Sequence, residues 1–164
     1  MGTCRKIGVE VYTDSDWATC QTTRRSRSGG VIYYNGYSVM HFCRTQDTVA
    51  LSSGEAELKA TCKGVAEGLA ILELARFLGW PDCPFTHYTD ASACAGILRR
   101  KGSGSIKHLT VKQLWTQEVF RRKAHVTLKI PRADNMSDAL CRAGTVETLK
   151  RHLERMGFGT GRKI

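Results

Sequence analysis

Four acids, Asp14, Glu57, Asp90 and Asp138, each fall where a strand or helix is predicted to open or close. Strand ends and first helical turns gather along one edge of an α/β sheet, where such folds commonly keep a site. Clustered carboxylates are hard oxygen donors for divalent cations. Two such cations about 3.5–4 Å apart activate water, stabilise a leaving oxygen and offset phosphate charge. The rest of the chain has the opposite sign: 25 Lys and Arg face 15 Asp and Glu, for a formal charge of +10. An acidic knot in a basic protein points to divalent-metal chemistry on a polyanion.

Each acid also has a plainer explanation. Asp14 and Asp16 both suit a turn after a strand, and on a strand they share a face, so spacing does not separate them. Glu57 would serve as an ordinary exposed helix residue. Asp90 would cap a helix beginning at Ala91, and Asp138 would complement the dipole of its own helix. Taken one at a time these readings are the stronger. Taken together they are the weaker, because all four acids fall at strand ends or helix starts.

The elements that must position these acids are legible from periodicity. Ile7, Val9 and Val11 alternate into Tyr12-Thr13-Asp14, which predicts a strand ending at an acid. Gly30–Tyr34 and Ser38–Phe42 flank Asn35-Gly36, a strong hairpin signal, so three antiparallel strands open the chain. Leu58, Cys62, Val65, Leu69 and Leu72 repeat at helical spacing, predicting a helix from Glu55 to about Leu78 with Gly79 as its stop. Ser52-Ser53-Gly54-Glu55 forms a capping box in which Ser52 and Glu55 satisfy each other's backbone donors. That gives Glu55 a structural task and leaves Glu57 without one.

After Pro81 and Pro84, Phe85–Asp90 reads as a strand running into a short helix from Ala91 to about Lys101. Gly102–Ser105 is a connector, His108–Arg122 a helix, and His125–Ile130 a last strand halted by Pro131. The loop from Arg132 to Ser137 delivers Asp138 into a terminal helix carrying Leu140, Val146, Leu149 and Leu153. This order predicts an α/β fold: a five-stranded mixed sheet, three antiparallel strands then two parallel, flanked by helices. At 164 residues and 41% hydrophobic content, one domain is expected over 1–164, with its core at about 7–156.

Cysteine usage narrows the class. Seven cysteines, an odd number with no C-x-x-C pair, argue against a disulfide framework and against zinc, and favour an intracellular setting. His41 and Cys43 alternate on a strand but lack a second ligand pair. No apolar run reaches membrane-spanning length, and no signal-peptide pattern opens the chain.

Cations are placed for substrate. Between Arg99 and Lys123, eight basic residues (Lys107 and Lys112 among them) face Glu118 alone, and Arg24-Arg25 lie beside the first acid. Such residues suit phosphate contacts, with solvated helix faces as the plainer alternative. Ser52, Ser53 and Ser92 are small hydrogen-bonders that would reach sugar hydroxyls, the feature that separates RNA from DNA.

The residues above resemble a known family, the ribonuclease H domain at the end of copia-type (Pseudoviridae) retrotransposon Pol polyproteins. The resemblance rests on Tyr12-Thr-Asp-Ser-Asp-Trp-Ala18 with Thr23-Arg-Arg-Ser-Arg-Ser-Gly29, on Val49-Ala-Leu-Ser-Ser-Gly-Glu-Ala-Glu-Leu58, and on Tyr88-Thr-Asp-Ala91. Lys107-His-Leu and Asn135-Met-Ser-Asp-Ala-Leu140 extend it to about residue 142. The resemblance implies a ribonuclease H-like fold and cutting of the RNA strand of an RNA/DNA hybrid. It also implies two Mg2+ ions, or Mn2+, held by Asp14, Glu57, Asp90 and Asp138. Substrate contacts are expected from Ser15, Arg24, Arg25, Ser52, Ser53, Gly54, Ser92, Lys107 and Lys112. The implied partner is the reverse transcriptase of the same polyprotein, in a cytoplasmic virus-like particle or the nucleus, with the isolated domain a monomer.

Two departures from the broader family stand out. Cellular members often carry a His in the loop before the last acid, whereas Arg132-Ala-Asp-Asn135 has none, which makes Arg132 or Asp134 the candidate helper. The basic-protrusion helix is also expected to be missing, because only Gly102–Lys107 separates the two helices. Two competing readings are a catalytically inactive hybrid-binding or connection module, and a DNA-acting nuclease of the same superfold.

Overall fold

Asn35 and Gly36 take positive φ, 51° and 81°, the left-handed pair that a two-residue hairpin requires, and this turn sets the register of the first half of the sheet. The computed structural model describes residues 8–102, 111–122 and 125–158. The strands are β1 (Val9–Asp16), β2 (Arg27–Tyr34), β3 (Tyr37–Thr45), β4 (Phe85–Thr89) and β5 (Val126–Lys129). They form one sheet in the order β3-β2-β1-β4-β5. Pairing is antiparallel across β3-β2-β1 and parallel across β1-β4-β5, as the sequence predicts.

Two strand boundaries differ from expectation. β1 continues past Asp14 because β2 begins early, at Arg27, so Asp14 pairs with Gly29 and Asp16 with Arg27. β3 likewise runs on to Thr45 opposite that extension. The first acid therefore lies inside the sheet edge, held by backbone pairing, rather than in a loop.

Helix α1 (Ser53–Phe77) packs along β1 and β2, with Leu58, Val65 and Leu72 fully buried. Ser52 is its N-cap, accepting from Glu55 N–H at 3.2 Å. The capping box closes differently from expectation: the Glu55 carboxylate accepts from Leu51 N–H at 2.8 Å rather than from Ser52, and pairs with Lys59 at 2.8 Å. Glu55 is thus engaged structurally, as expected. Gly79, at φ +100°, ends the helix segment.

Gly64 and Gly68 press α1 onto β1. A Cβ at Gly64 would lie 2.3 Å from Thr13 Cγ2, and one at Gly68 would lie 2.4 Å from Val11 Cγ2. One helical turn apart, they face the sheet together.

Helices α2 (Ser92–Arg99) and α3 (Val111–Arg122) pack on each other and on α1. The sequence places one continuous helix after Asp138, and here the structure corrects it. Helix α4 (Asp138–Cys141) stops at Arg142, whose backbone is extended, and α5 (Val146–Arg155) starts afresh with Thr145 as N-cap. Gly144 and the capping Thr145 explain the break, and Val146 is left 70% exposed instead of joining the core. Lys107, Lys123 and the connector from Ser103 lie outside the described residues, so the expected lack of a basic-protrusion helix falls there too. Among the described residues no helix is long and apolar enough to cross a membrane, and the six described cysteines are free thiols.

Candidate metal and active site

Parallel pairing of β1 with β4 brings the first two acids together. Tyr12 pairs with Tyr88, so Asp14 and Asp90 each follow two residues later on neighbouring chains. α1 crosses the same edge and turns Glu57 inward, where its Oε1 accepts from Ser15 N–H at 3.2 Å. Asp14, Glu57 and Asp90 each offer an oxygen within 4.8 Å of the other two. Asp14 is 1% and Glu57 7% exposed. Asp14 Oδ2 and Glu57 Oε2 are buried with no hydrogen-bond donor. Buried carboxylate oxygens without donors are costly unless a cation serves them, so this donor set fits a hard divalent ion.

The structure separates Asp14 from Asp16. Asp16 accepts from Thr19 Oγ1 and from Arg27 N–H, which ties it into the β1-β2 loop. Asp90 does not cap α2: the N-cap is Ala91, with no side-chain cap, and Ala91 N–H bonds to Thr89 Oγ1 at 3.1 Å. Asp138 stands apart from the three clustered acids. Its Oδ1 lies 3.0 Å from Arg132 Nε and 3.7 Å from Arg142 Nε.

Beneath the acids lies a neutral polar girder. Thr13 Oγ1 bonds to His87 Nε2 at 2.8 Å and to Thr61 Oγ1 at 3.2 Å, joining β1, β4 and α1. Burial drives the His87 pKa down to about 3, so the ring is neutral at physiological pH. Asn135, fully buried, links the last loop to the site. Its Nδ2 donates to the Thr13 carbonyl at 3.0 Å and to Asp90 Oδ1 at 3.3 Å, while its Oδ1 accepts from Ser137 Oγ at 2.6 Å. Asn135→Ala is expected to leave the Thr13 carbonyl unserved and Asp90 unaimed, lowering stability by about 1–3 kcal/mol. A melting curve and the ion-induced stabilisation would both register the loss.

Burial and like charge act together on the acids. Burial, then repulsion by Asp90, raises Asp14 to about 7 against the pull of Arg142. Burial, then repulsion by Asp14, raises Glu57 to about 8, with the Ser15 hydrogen bond opposing. A carboxylate raised on folding contributes stability that is full below its unfolded pKa and lost as pH rises through the folded one. Buried neutral His87 acts oppositely, losing its contribution only as pH falls below about 6.5. Between pH 6.5 and 8.5 the ion-free protein should therefore melt progressively earlier. Added Mg2+ should restore more stability at pH 8 than at 6.5, because protons must leave before the ion binds. Chelator melting temperatures that stay flat over this window, with no growing Mg2+ effect, would contradict the crowding.

The expected substrate residues are placed as follows. Ser15 is buried, its backbone bonded to Glu57 and to Arg142. Ser52 is the α1 cap, Ser53 is exposed and Gly54 is buried, with room for a Cβ only 3.3 Å from Ala93 Cβ. Ser92 is exposed and accepts from Lys129 Nζ at 2.5 Å. Arg24 and Arg25 are exposed on the β1-β2 loop. Lys112 lines a groove of about 800 Å³ together with Arg44, Lys59, Lys63 and Trp115. Of the two suggested helpers, Arg132 pairs with Asp138, and Asp134 pairs with Arg155 at 2.9 Å. His41 packs edge-on to Phe158, and Cys43 is an exposed thiol.

Sequence reasoning passed over Arg142, His87 and the Gly64/Gly68 pair. A helical G-x-x-x-G spacing was visible for the last, but nothing local marks Arg142 as belonging to the site, since its Ser15 partner lies 127 residues away in the chain.

No protein-family model matches the chain. Among solved structures it is similar to LC11-RNase H1 crystallised with an RNA/DNA hybrid, at TM-score 0.51 and 18% identity over 80% of this chain and 92% of that one. It is also similar to the prototype foamy virus protease-reverse transcriptase, at TM-score 0.52 and 12% identity over 97% of this chain and 21% of that one. The chain thus has the ribonuclease H fold. In sequence it is 26% identical over 130 residues to the retrovirus-related Pol polyprotein from transposon TNT 1-94 of Nicotiana tabacum, matching 79% of this chain and 10% of that protein. The chain thus combines the ribonuclease H fold with sequence similarity to a retrotransposon Pol polyprotein, of which it spans about a tenth.

Proposed function

We propose that this chain is a metal-dependent endoribonuclease that hydrolyses the RNA strand of RNA/DNA hybrids during retrotransposon reverse transcription. The observation that carries the reading is three carboxylates, Asp14 and Glu57 buried and Asp90 half-buried, converging within 4.8 Å from β1, α1 and the end of β4 on a ribonuclease H fold. Asp14, Glu57 and Asp90 would hold one divalent ion, and Asp138 with Asp14 would share a second. Mg2+ or Mn2+ held there would supply water activation and leaving-group stabilisation, and the products would carry 5′-phosphate and 3′-hydroxyl ends.

The protein's own groups do the rest. Ser15 N–H and Asn135 aim Glu57 and Asp90. The groove with Arg44, Lys59, Lys63 and Lys112 lies along α1 beyond Glu57 and suits a phosphate backbone, with Trp115 as a stacking surface. Ser52, Ser53 and Ser92 would meet sugar hydroxyls, and Arg24 and Arg25 flanking phosphates. We place the whole chain in one monomeric domain. It would work beside the reverse transcriptase of the same polyprotein, in a cytoplasmic particle or the nucleus.

The test offers labelled RNA/DNA hybrid, RNA duplex and DNA duplex with Mg2+, Mn2+ or chelator. Cutting of the RNA strand of the hybrid alone, abolished by chelator, is expected. Hybrid binding without cutting would make the chain an inactive connection module, and cleavage of DNA duplex would move it to another nuclease class.

A further inference from the structure

Arg142 lies between the first and fourth acids. Its Nε is 3.8 Å from Asp14 Oδ2, the oxygen with no hydrogen-bond donor, and 3.7 Å from Asp138 Oδ1. The guanidinium is anchored: Nη2 donates to the Ser15 carbonyl at 2.8 Å, and the N–H of the same Ser15 holds Glu57. The helix break at Arg142 puts it there, since its extended backbone turns the chain at the end of α4.

We infer that Arg142 is a resident counter-cation that fills the gap between Asp14 and Asp138, so the site loads its two divalent ions unequally. The first ion enters at Asp14, Glu57 and Asp90, of which Glu57 and Asp90 have no ion pair among the described residues. The second, shared by Asp14 and Asp138, must displace Arg142. Both of its contacts to the acids are ion pairs beyond hydrogen-bond length and its side chain is 38% exposed, so leaving the gap gives up little beyond the hydrogen bond to the Ser15 carbonyl. A phosphate of bound nucleic acid would offer the freed guanidinium a bidentate partner, which couples arrival of substrate to completion of the ion pair. Arg132 differs: it pairs with Asp138 at 3.0 Å and makes no ion pair with Asp14. This inference rests on the metal reading above.

The test is Mn2+ binding to the substrate-free protein, followed by calorimetry and by electron paramagnetic resonance of free Mn2+. Wild type should show two sites at least tenfold apart in affinity. Arg142→Gln and Arg142→Met should each tighten the second site at least threefold and narrow the gap, while Arg142→Lys, which keeps the charge, should preserve it. Arg76→Gln, removing a distant surface charge paired with Glu73, should leave both sites unchanged. Melting in chelator identifies whichever neutral variant is folded, and one suffices. An unchanged or weaker second site in that variant overturns the inference, as do two equal sites in wild type. Absence of any Mn2+ site in wild type removes the metal reading itself.

Discussion

Asp90→Asn is expected to abolish hybrid cleavage while leaving the fold intact or slightly more stable. The substitution keeps the shape of the side chain and an oxygen to accept from Asn135 Nδ2. It removes one of the three clustered charges and with it the largest charge repulsion on Asp14. Losing a ligand to a catalytic ion forfeits several kcal/mol of transition-state stabilisation, which at about 4 kcal/mol is roughly a thousandfold in rate. In chelator the variant should melt at or above the wild-type temperature, because less like charge is buried. The Mg2+-induced rise in melting temperature should shrink. Cleavage at the wild-type rate would remove Asp90 from the reaction, and a large drop in melting temperature in chelator would show that its role is structural instead.

Gly64→Val is expected to destabilise the protein most among single changes far from the acids. The first added carbon already lies 2.3 Å from Thr13 Cγ2 and 3.1 Å from Val11 Cγ1, and both belong to β1 in the fully buried interior. Overpacking of this kind costs about 3 kcal/mol at the upper end of its usual range, a fall of roughly 6–12 °C for a chain this size. Retreat of α1 would also carry Glu57 away from Asp14, so the ion-induced stabilisation should weaken in parallel. Gly96→Ala is the matched control. Gly96 lies inside α2 with nothing within 4 Å of an added Cβ, so the change should be neutral or gain up to about 1 kcal/mol. Equal melting temperatures for the two variants would mean that α1 does not press on β1 as described.

The sheet was readable because its determinants are local. Asn35-Gly36 specifies its hairpin by backbone conformation alone, and the seven-residue repeat of Leu58, Val65 and Leu72, with Cys62 and Leu69 between them, marks the inner face of α1. Ser52 could be recognised as a cap for the same reason. The continuous terminal helix was misjudged because the apolar residues on either side of Arg142 keep a plausible period, while the signal that stops the chain, Gly144-Thr145, is weak.

The sequence by itself determined the five strands and the helices up to Asp138, and placed four acids at their ends. Spacing alone could not choose between Asp14 and Asp16, because strand alternation puts both on one face; the tertiary structure assigned Asp16 to Thr19 and Arg27 and left Asp14 Oδ2 without a donor. Likewise it could not distinguish Asp138 from the other acids. Ion pairing with Arg132 and Arg142 sets Asp138 apart. Charge pairing acts across space and is decided by which side chains the packed backbone brings within a few ångströms, a quantity that spacing along the chain does not contain.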